Sequence, residues 1–479
     1  MGRALLAVAC ASCLSPADAE PPHRLATVVI AGVPHVTQEP DFCGEACVAM
    51  WANHLGKTYD QDAVFAATGL DPVLGRGAYT PELVRAVQAL GFRPTNVYTL
   101  VDADHPQAVL DRELAALHAD LVRGVPSIVC MHYDDRPHTT EHFRLVVGYD
   151  ADHDDIVYQE PAEDDGAYRH MSRSLFEKLW QLPSSTAGKR VLVRIPLVAD
   201  PAGLAQPAPE HAGFTRAQYV QHVMALREKL AAAGLSRMAI RIEPPFVVAG
   251  DAGDAALARD ARTVRWAADH LERDFFAVQP RQILDVYLFH GDAAYRRGVR
   301  ALAHDPPDTP YGFYSRRDGG LFMDISTGGG TLVHEIVHPY VEADFPNAPA
   351  WLNEGLGSLF EQSAERDGHI VGLTNWRLAG LQHGLDTDDA PSFRALTALD
   401  DTAFYDDDRG VHYAEARYLL YYLQDKGVLR DFYRAARAGR AKDPTAYAAL
   451  VATLAGLGER DMDAFRARWD KYVAALRFP

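Results

Sequence analysis

Residues 328–361, GGGTLVHEIVHPYVEADFPNAPAWLNEGLGSLFE, decide the reading of the second half of the chain. They contain His334-Glu335-Ile336-Val337-His338 and, sixteen positions after His338, Glu354 within Asn353-Glu354-Gly355. An α-helix advances ~3.6 residues per turn, so side chains four apart share a face. His334 and His338 are therefore expected to aim two imidazoles at one centre. A catalytic zinc takes three protein ligands and keeps a further position open for water. Glu354, on a second helix opened by Trp351-Leu352-Asn353, is placed to be the third. Glu335 lies about 100° round the helix from His334. There it flanks the ion and takes a proton from the attacking water instead of binding the metal. The neighbours Leu332, Val333, Ile336 and Val337 are apolar, so the motif is expected to be buried. Buried ionisable groups without a metal or partners cost kcal/mol each, which favours Zn2+ over an empty helix face.

Bulk composition sets outer limits. The chain has 479 residues, 48% hydrophobic and 23% charged, which suits two or three globular domains. A net charge of -18 lacks the basic footprint of a nucleic-acid-binding surface, so no nucleic-acid partner is expected. Arg3, the apolar residues 4–14 and the small-x-small site Ala17-Asp18-Ala19 read as an export signal over residues 1–19. That run is too short to span a bilayer, and no later apolar run of about 18 residues follows, so no transmembrane segment is expected. The expected location is periplasmic or secreted; the residues before Cys10 and Cys13 fit a lipoprotein anchor poorly. Cys43, Cys47 and Cys130 remain after the signal, an odd set that leaves a thiol unpaired.

Residues 20–199 carry helix patterns first (42–55, 80–90 capped by Thr80, and 106–123). Strand patterns follow at 127–131, at 143–149 and 155–158 around a polar turn, and at 190–195. That order predicts an α+β domain. Residues 200–213, with Pro201, Pro207 and Pro209, have linker composition. Residues 214–479 open with a helix at 215–233. Strands at 246–249, 283–289, 312–314 and 320–324 flank a long helix at 255–275, and from Thr331 the pattern is mostly helical. Pro339, directly after the second histidine, is expected to kink its helix. No Lys follows Gly328-Gly329-Gly330, which favours a flexible turn beside the metal helix over a phosphate cradle.

On His334-Glu335-x-x-His338 and Glu354, residues 213–479 resemble the gluzincins, zinc peptidases with a glutamate third ligand, and the aminopeptidase-type catalytic domain among them. The resemblance implies His334, His338 and Glu354 as zinc ligands and Glu335 as general base. It places Glu361, two turns after Glu354, behind a ligand histidine. It also implies a tyrosine donating to the oxyanion; Tyr413, in His412-Tyr413-Ala414-Glu415, is the candidate, with Tyr405, Tyr418, Tyr421 and Tyr422 as rivals. The second helix comes sooner than in the aminopeptidases and no motif for gripping an N-terminal amine is present, so that specificity is not carried over.

A second constellation stands near the start. Gln38-Glu39-Pro40-Asp41-Phe42-Cys43 places Cys43 at a helix N-terminus, whose partial positive charge is expected to lower the thiol pKa. Gln38 has an amide able to face an oxyanion. His142 opens a strand, and Glu160-Pro161 ends the next, so base and acid can meet the thiol. The order Gln, Cys, His, acid over residues 30–196 resembles the papain-like fold of the bacterial double-glycine-leader, or bacteriocin-processing, cysteine peptidases. It implies Cys43 as nucleophile, His142 as base, Gln38 as oxyanion donor and Glu160 where that family usually has aspartate. Cys47, one turn on, reads as core packing, or as a partner for Cys130. His138-Thr139-Thr140-Glu141-His142 matches an inverted zinc motif, but Pro137 and the strand pattern after it argue for loop and strand.

The expected architecture is thus α+β: a papain-like domain, then a mainly helical gluzincin (zincin) domain with a small strand region. The expected activity is that of an exported peptidase acting on peptide or protein substrates through a thiol site and a separate zinc site. The alternative is one active domain beside a peptide-binding or scaffold module.

Overall fold

The computed structural model describes residues 25–102, 104–205, 213–307, 309–387, 389–406 and 410–478. The export signal expected at 1–19 lies outside the described residues, as do positions 206–212 of the linker. The described residues fall into two compact units. One holds the residues up to Gly69 together with Gly77–Ala208; the other holds Leu70–Arg76 and the residues from 213 on.

The first unit runs β1 (Val28–Val29), α1 (Cys43–His54), α2 (Gln61–Thr68), α3 (Thr80–Ala89), β2 (Tyr98–Asp102), α4 (Gln107–Val122) and β3 (Ser127–His132). It continues with β4 (Glu141–Asp150), β5 (Asp155–Gln159), β6 (Arg169–Ser172), α5 (Arg173–Trp180), β7 (Leu182–Pro183) and β8 (Lys189–Pro196). Helix α1 is buried from Gly44 to Ala52, as a helix set inside a domain is, and its one buried charge, Glu45, accepts from Ala78 N at 2.8 Å. The sheet order is β2-β8-β3-β4-β5-β6, with β1 added to β4 and β7 to β8. The pairs β3–β4 and β4–β5 are antiparallel. The start of β4 therefore lies beside the end of β5, which brings His142 and Glu160 to one end of the sheet. On one face Val129, Met131, Val146 and Ile156 pack under Leu114, Leu117 and Leu121 of α4 and Phe176 and Trp180 of α5. His138 lies in a loop and Glu141-His142 open β4, so the inverted zinc motif is on loop and strand.

The second unit runs α6 (Arg216–Ala232), β9 (Ala239–Glu243), β10 (Phe246–Gly250), α7 (Asp254–Asp274), β11 (Leu284–Phe289), α8 (Asp292–Leu302), β12 (Gly312–Ser315) and β13 (Gly320–Asp324). The metal-motif helix α9 (Gly329–Asp344), α10 (Ala350–Phe360) and the hairpin β14 (Ser363–Arg366)–β15 (His369–Gly372) follow. The rest is helical: α11 (Arg377–Asp386), α12 (Phe393–Ala398), α13 (Asp401–Tyr405), α14 (Val411–Asp425), α15 (Leu429–Gly439), α16 (Tyr447–Gly456) and α17 (Met462–Ala475). The five-stranded sheet has the order β12-β13-β11-β10-β9. Every residue of β10 and β11 is buried, because helices cover both faces. Tyr219 and Val223 of α6 and Tyr295 and Val299 of α8 meet Val247, Tyr287 and Phe322 on one side. On the other, Val248, Val286 and Leu321 join a larger core with α7, α9, α10 and the C-terminal helices.

Helix α9 runs through Pro339 to Asp344, and one expectation changes at its start. The proline removes one backbone donor, that toward Glu335, without ending the helix. The three glycines do not form a separate turn: Gly328 caps α9 at φ 114°, and Gly329 and Gly330 are its first residues.

Candidate active sites

In the first unit the imidazole of His142 meets the Glu160 carboxylate, Nε2 to Oε1, at 2.5 Å. The other carboxylate oxygen accepts from Arg144 Nε at 2.6 Å. Arg144 is pinned in turn on the backbone carbonyls of His132 and Tyr133. All three side chains are buried. Burial pushes the Glu160 carboxyl up, but the hydrogen bond from His142 and the charges of His142 and Arg144 more than offset it and hold it below the ordinary glutamate range. With Nε2 engaged, Nδ1 is the imidazole nitrogen left for proton transfer.

The loop after Glu160 folds back tightly, with Glu160 N–H bonded to Gly166 O at 2.8 Å. A Cβ at Gly166 would sit 1.9 Å from the Glu160 carbonyl oxygen and 2.8 Å from His35 Nε2. Only glycine lets the acid's backbone close this way. Arg144 and Gly166 were not singled out from the sequence, since each matters only through a contact across the sheet end.

Cys43 opens α1 and is half-buried. The expected lowering of its pKa is not what the structure gives. Burial pushes the thiol up to about 12 and the carboxylates of Glu45 and Asp41 add to it; backbone hydrogen bonds from Phe143 and Gly44 pull the other way. The helix N-terminus loses to desolvation because it is a fraction of a charge, whereas a buried thiolate forfeits its water. The sulfur is turned to the Phe143 backbone, and no hydrogen bond joins it to His142 in this resting arrangement. Gln38 donates its backbone N–H to Pro161 O at 2.7 Å. Its side-chain Oε1 is buried without a hydrogen-bond partner. Cys43, Cys47 and Cys130 are all free. Cys47 is buried against the Phe143 carbonyl at 3.8 Å. Cys43 and Cys130 line one cavity of about 680 Å³, whose walls include Tyr79, Tyr98, Phe143 and Leu182.

In the second unit one ligand atom from each of His334, His338 and Glu354 lies within 4.8 Å of the others. Among the described residues no other set of three His, Cys, Asp or Glu side chains converges in this way. His334 Nε2 stands 3.2 Å from Glu354 Oε2, and His338 Nε2 is 3.8 Å from Glu354 Oε1. Two imidazole nitrogens and a carboxylate facing a cavity of about 600 Å³ fit the donor set and open side of a catalytic zinc. A Cβ at Gly357 would meet the His334 ring at 3.0–3.1 Å, so the glycine lets that imidazole lie flat on α10.

Glu335 accepts from Tyr314 N at 3.0 Å and approaches His338 Nε2 at 3.7 Å. Burial pushes its carboxyl up to about 8, and the neighbouring Glu354 adds to this against the charge of His338. Glu354 behaves oppositely: burial would raise it, but His338, His334 and the Tyr405 hydroxyl hold it down at about 2. Two carboxylates in one pocket are thus driven apart by their partners.

Glu361 does not stand behind a ligand histidine. It accepts from Arg377 Nε at 3.0 Å and Asn375 Nδ2 at 3.5 Å. The residue that orients a histidine is Asn353, whose Oδ1 lies 3.1 Å from His338 Nδ1. Tyr413 lines the metal cavity, with its ring 5.2 Å from Phe404. Tyr405 comes closer, donating to Glu354 Oε1 at 2.8 Å. Asn353 stood in the quoted motif and Tyr405 among the rivals, but helical spacing alone gave neither a partner.

The first unit is an α+β domain with His142 and Glu160 at one end of its antiparallel sheet and Cys43 at the start of α1. Residues 30–187 match the Peptidase_C39 like family. That match supports a papain-like cysteine peptidase domain in this part of the chain. Among solved structures, the peptidase domain of Streptococcus ComA, a bi-functional ABC transporter involved in a quorum sensing pathway, is 20% identical, covering 34% of this chain and 99% of its own, with a TM-score of 0.23. No curated protein matches the chain. Among the described residues no helix is long and apolar enough to cross a membrane.

Proposed function

We propose that the chain is an exported two-domain peptidase with two chemically independent hydrolytic sites. The observation that carries the reading is the pair of constellations, His142–Glu160–Arg144 in the unit whose helix α1 opens with Cys43, and His334–His338–Glu354 beside Glu335, each built inside its own unit.

In the first unit, Cys43 gives its proton to His142 Nδ1 as the sulfur attacks the substrate carbonyl. Glu160 holds the Nε2–H and stabilises the imidazolium, itself kept anionic by Arg144. The side-chain amide N–H of Gln38 donates to the developing oxyanion. The acyl-enzyme forms as the amine leaves with the proton from His142, and water then releases the acid.

In the second unit His334, His338 and Glu354 hold Zn2+. The bound ion supplies Lewis acidity at the substrate carbonyl and lowers the pKa of water. Glu335 receives the attacking water's proton and passes it to the leaving amine, held for this by the Tyr314 N–H it accepts at 3.0 Å. Tyr413, on the cavity wall, donates to the oxyanion, while Tyr405 steadies Glu354.

A second reading, that the first unit only binds peptides, is favoured by one observation: the Cys43 thiol is pushed up and not paired with His142. An inhibitor matrix on casein separates the two. Hydrolysis by the whole protein should fall in part with 1,10-phenanthroline, in part with iodoacetamide, and completely with both. Activity indifferent to iodoacetamide assigns catalysis to the zinc unit alone, and activity indifferent to the chelator sinks the zinc half. Metal analysis should find one zinc per chain in the wild type and none in His334→Ala.

A further inference from the structure

The metal cavity is not a dead end. A second cavity of about 380 Å³ adjoins it across Tyr314, Arg316, Glu342 and Asn347 and extends toward Pro280 and Gln282. A third, of about 520 Å³, adjoins it across Asn347, Ala348, Ala350 and Asp401 and extends toward Leu399 and Thr445, so that Asn347 borders all three. Together the three exceed the ~1,000 Å³ upper end of a small-molecule pocket. The boundary with the second cavity is open to solvent: the Arg316 side chain is 70% exposed. The wall along this trough is β12, an edge strand paired to β13 on one side only. Its Tyr314 N–H faces the trough and reaches Glu335. An edge strand offers backbone donors and acceptors to an extended chain.

The charges on the walls point the same way. An exopeptidase must read a terminal ammonium or carboxylate where the groove closes. Glu342, one turn beyond His338, has both oxygens engaged, one by Arg316 Nε at 2.7 Å and one by the Tyr314 hydroxyl at 3.1 Å. Arg316 and Glu342, both on the cavity wall, therefore answer each other. Asp401, which also lines the cavity, is exposed.

We propose that the second unit threads an extended peptide through this trough and cuts it internally, an endopeptidase that ignores chain ends. This rests on the reading of His334, His338, Glu354 and Glu335 as a hydrolytic centre. In the step, the amide C–N bond breaks, the water's hydroxyl goes to the carbonyl carbon and its proton to the new amine.

The test uses the full-length Cys43→Ala protein, so that only the zinc unit can act. Its substrates are an N-acetylated, C-amidated decapeptide library, the same library with free ends, and aminoacyl p-nitroanilides, with products sized by mass spectrometry. The expected result is chelator-sensitive cleavage inside the blocked peptides at rates like those of the free ones, with the p-nitroanilides untouched. Chelator-sensitive removal of single residues from free ends only would overturn the threading and leave the hydrolytic centre standing. No chelator-sensitive cleavage of any peptide would sink the centre itself.

Binding supplies a readout apart from turnover. To the Cys43→Ala/Glu335→Gln protein, a fluorescent end-blocked decapeptide should bind at least about tenfold tighter than an end-blocked tripeptide. Ala348→Trp, which fills the boundary with the third cavity, should abolish that difference. Equal affinity for long and short peptides in the parent protein overturns the proposal, whether or not the tryptophan variant folds.

Discussion

Glu160 shows what a single buried residue decides. It ties His142 to Arg144, and replacing it by glutamine leaves a buried guanidinium without its counter-charge. Glu160→Gln should therefore destabilise the first unit by about 3 kcal/mol, as breaking a buried pair does. The pH dependence has a definite sign. The folded pKa is held below the ordinary value, so the stabilisation is fully present above the unfolded pKa of about 4.3 and is lost as pH falls through the lower folded value. In urea titrations followed by tryptophan fluorescence, the gap between wild type and variant should be constant from pH 7 to about pH 5 and close below about pH 4. A gap that widens in acid refutes this account. Gly357 makes a complementary case. Alanine there adds about 1 kcal/mol of helix propensity but crowds the His334 ring. Gly357→Ala should keep or raise apo stability while zinc affinity, measured by chelator competition, falls about tenfold. Residues of this kind divide by how far sequence spacing reaches. His334 and His338 were legible because helical periodicity places them, Glu354 because a second apolar helix opens just before it, and Cys43 and His142 because a helix start and a strand start are local signals. Arg144, Gly166 and the contacts of Tyr405 were not, because they exist only once separate segments have met.

Elements divide in a similar way. β10 announced itself as a short unbroken apolar run and β11 as one interrupted only by Asp285, since a strand covered on both faces has almost no polar side to show. α8 and the β14–β15 hairpin went unread: α8 does carry Tyr295, Val299 and Leu302 at helical spacing, but among arginines and alanines, and the hairpin is two four-residue strands with only Ile370 and Gly372 buried, too short for a pattern to stand out. The site depends most on β12, which sequence gave only as a short strand before the metal helix. Tyr314 N–H points off the sheet to Glu335, so its loss should spare the β12–β13 ladder. Tyr314→Pro removes that donor on an edge strand where proline is tolerated. Compared with Tyr314→Phe, which removes only the hydroxyl bonded to Glu342, it should leave zinc content at one per chain and reduce chelator-sensitive hydrolysis at least about tenfold, the equivalent of one hydrogen bond at the reacting centre. Loss of zinc along with activity would show instead that β12 holds the fold of the metal helix.

At the scale of the whole molecule, two cores were legible from composition and from the change of pattern around residues 200–213, while the inclusion of Leu70–Arg76 in the second unit was not, because nothing local to that turn records its neighbours. Each unit buries its own apolar cluster: strands beneath α4 and α5 in the first, and a sheet between two helical layers in the second. A metal that binds one native unit and not its unfolded chain stabilises that unit alone, by about 4 kcal/mol at roughly a thousand times Kd. For a unit of this size that is about 10 °C, at ~2–4 °C per kcal/mol. Calorimetry of the full chain should therefore show two transitions, and adding zinc to chelator-stripped protein should raise one of them by about that amount while the other stays fixed. Modification of Cys43 by iodoacetamide should leave the zinc-dependent transition where it was, and His334→Ala should remove the shift without moving its partner. A single transition that zinc moves as a whole would mean that the units unfold as one, and the independence on which the two-site reading is built would fall with it.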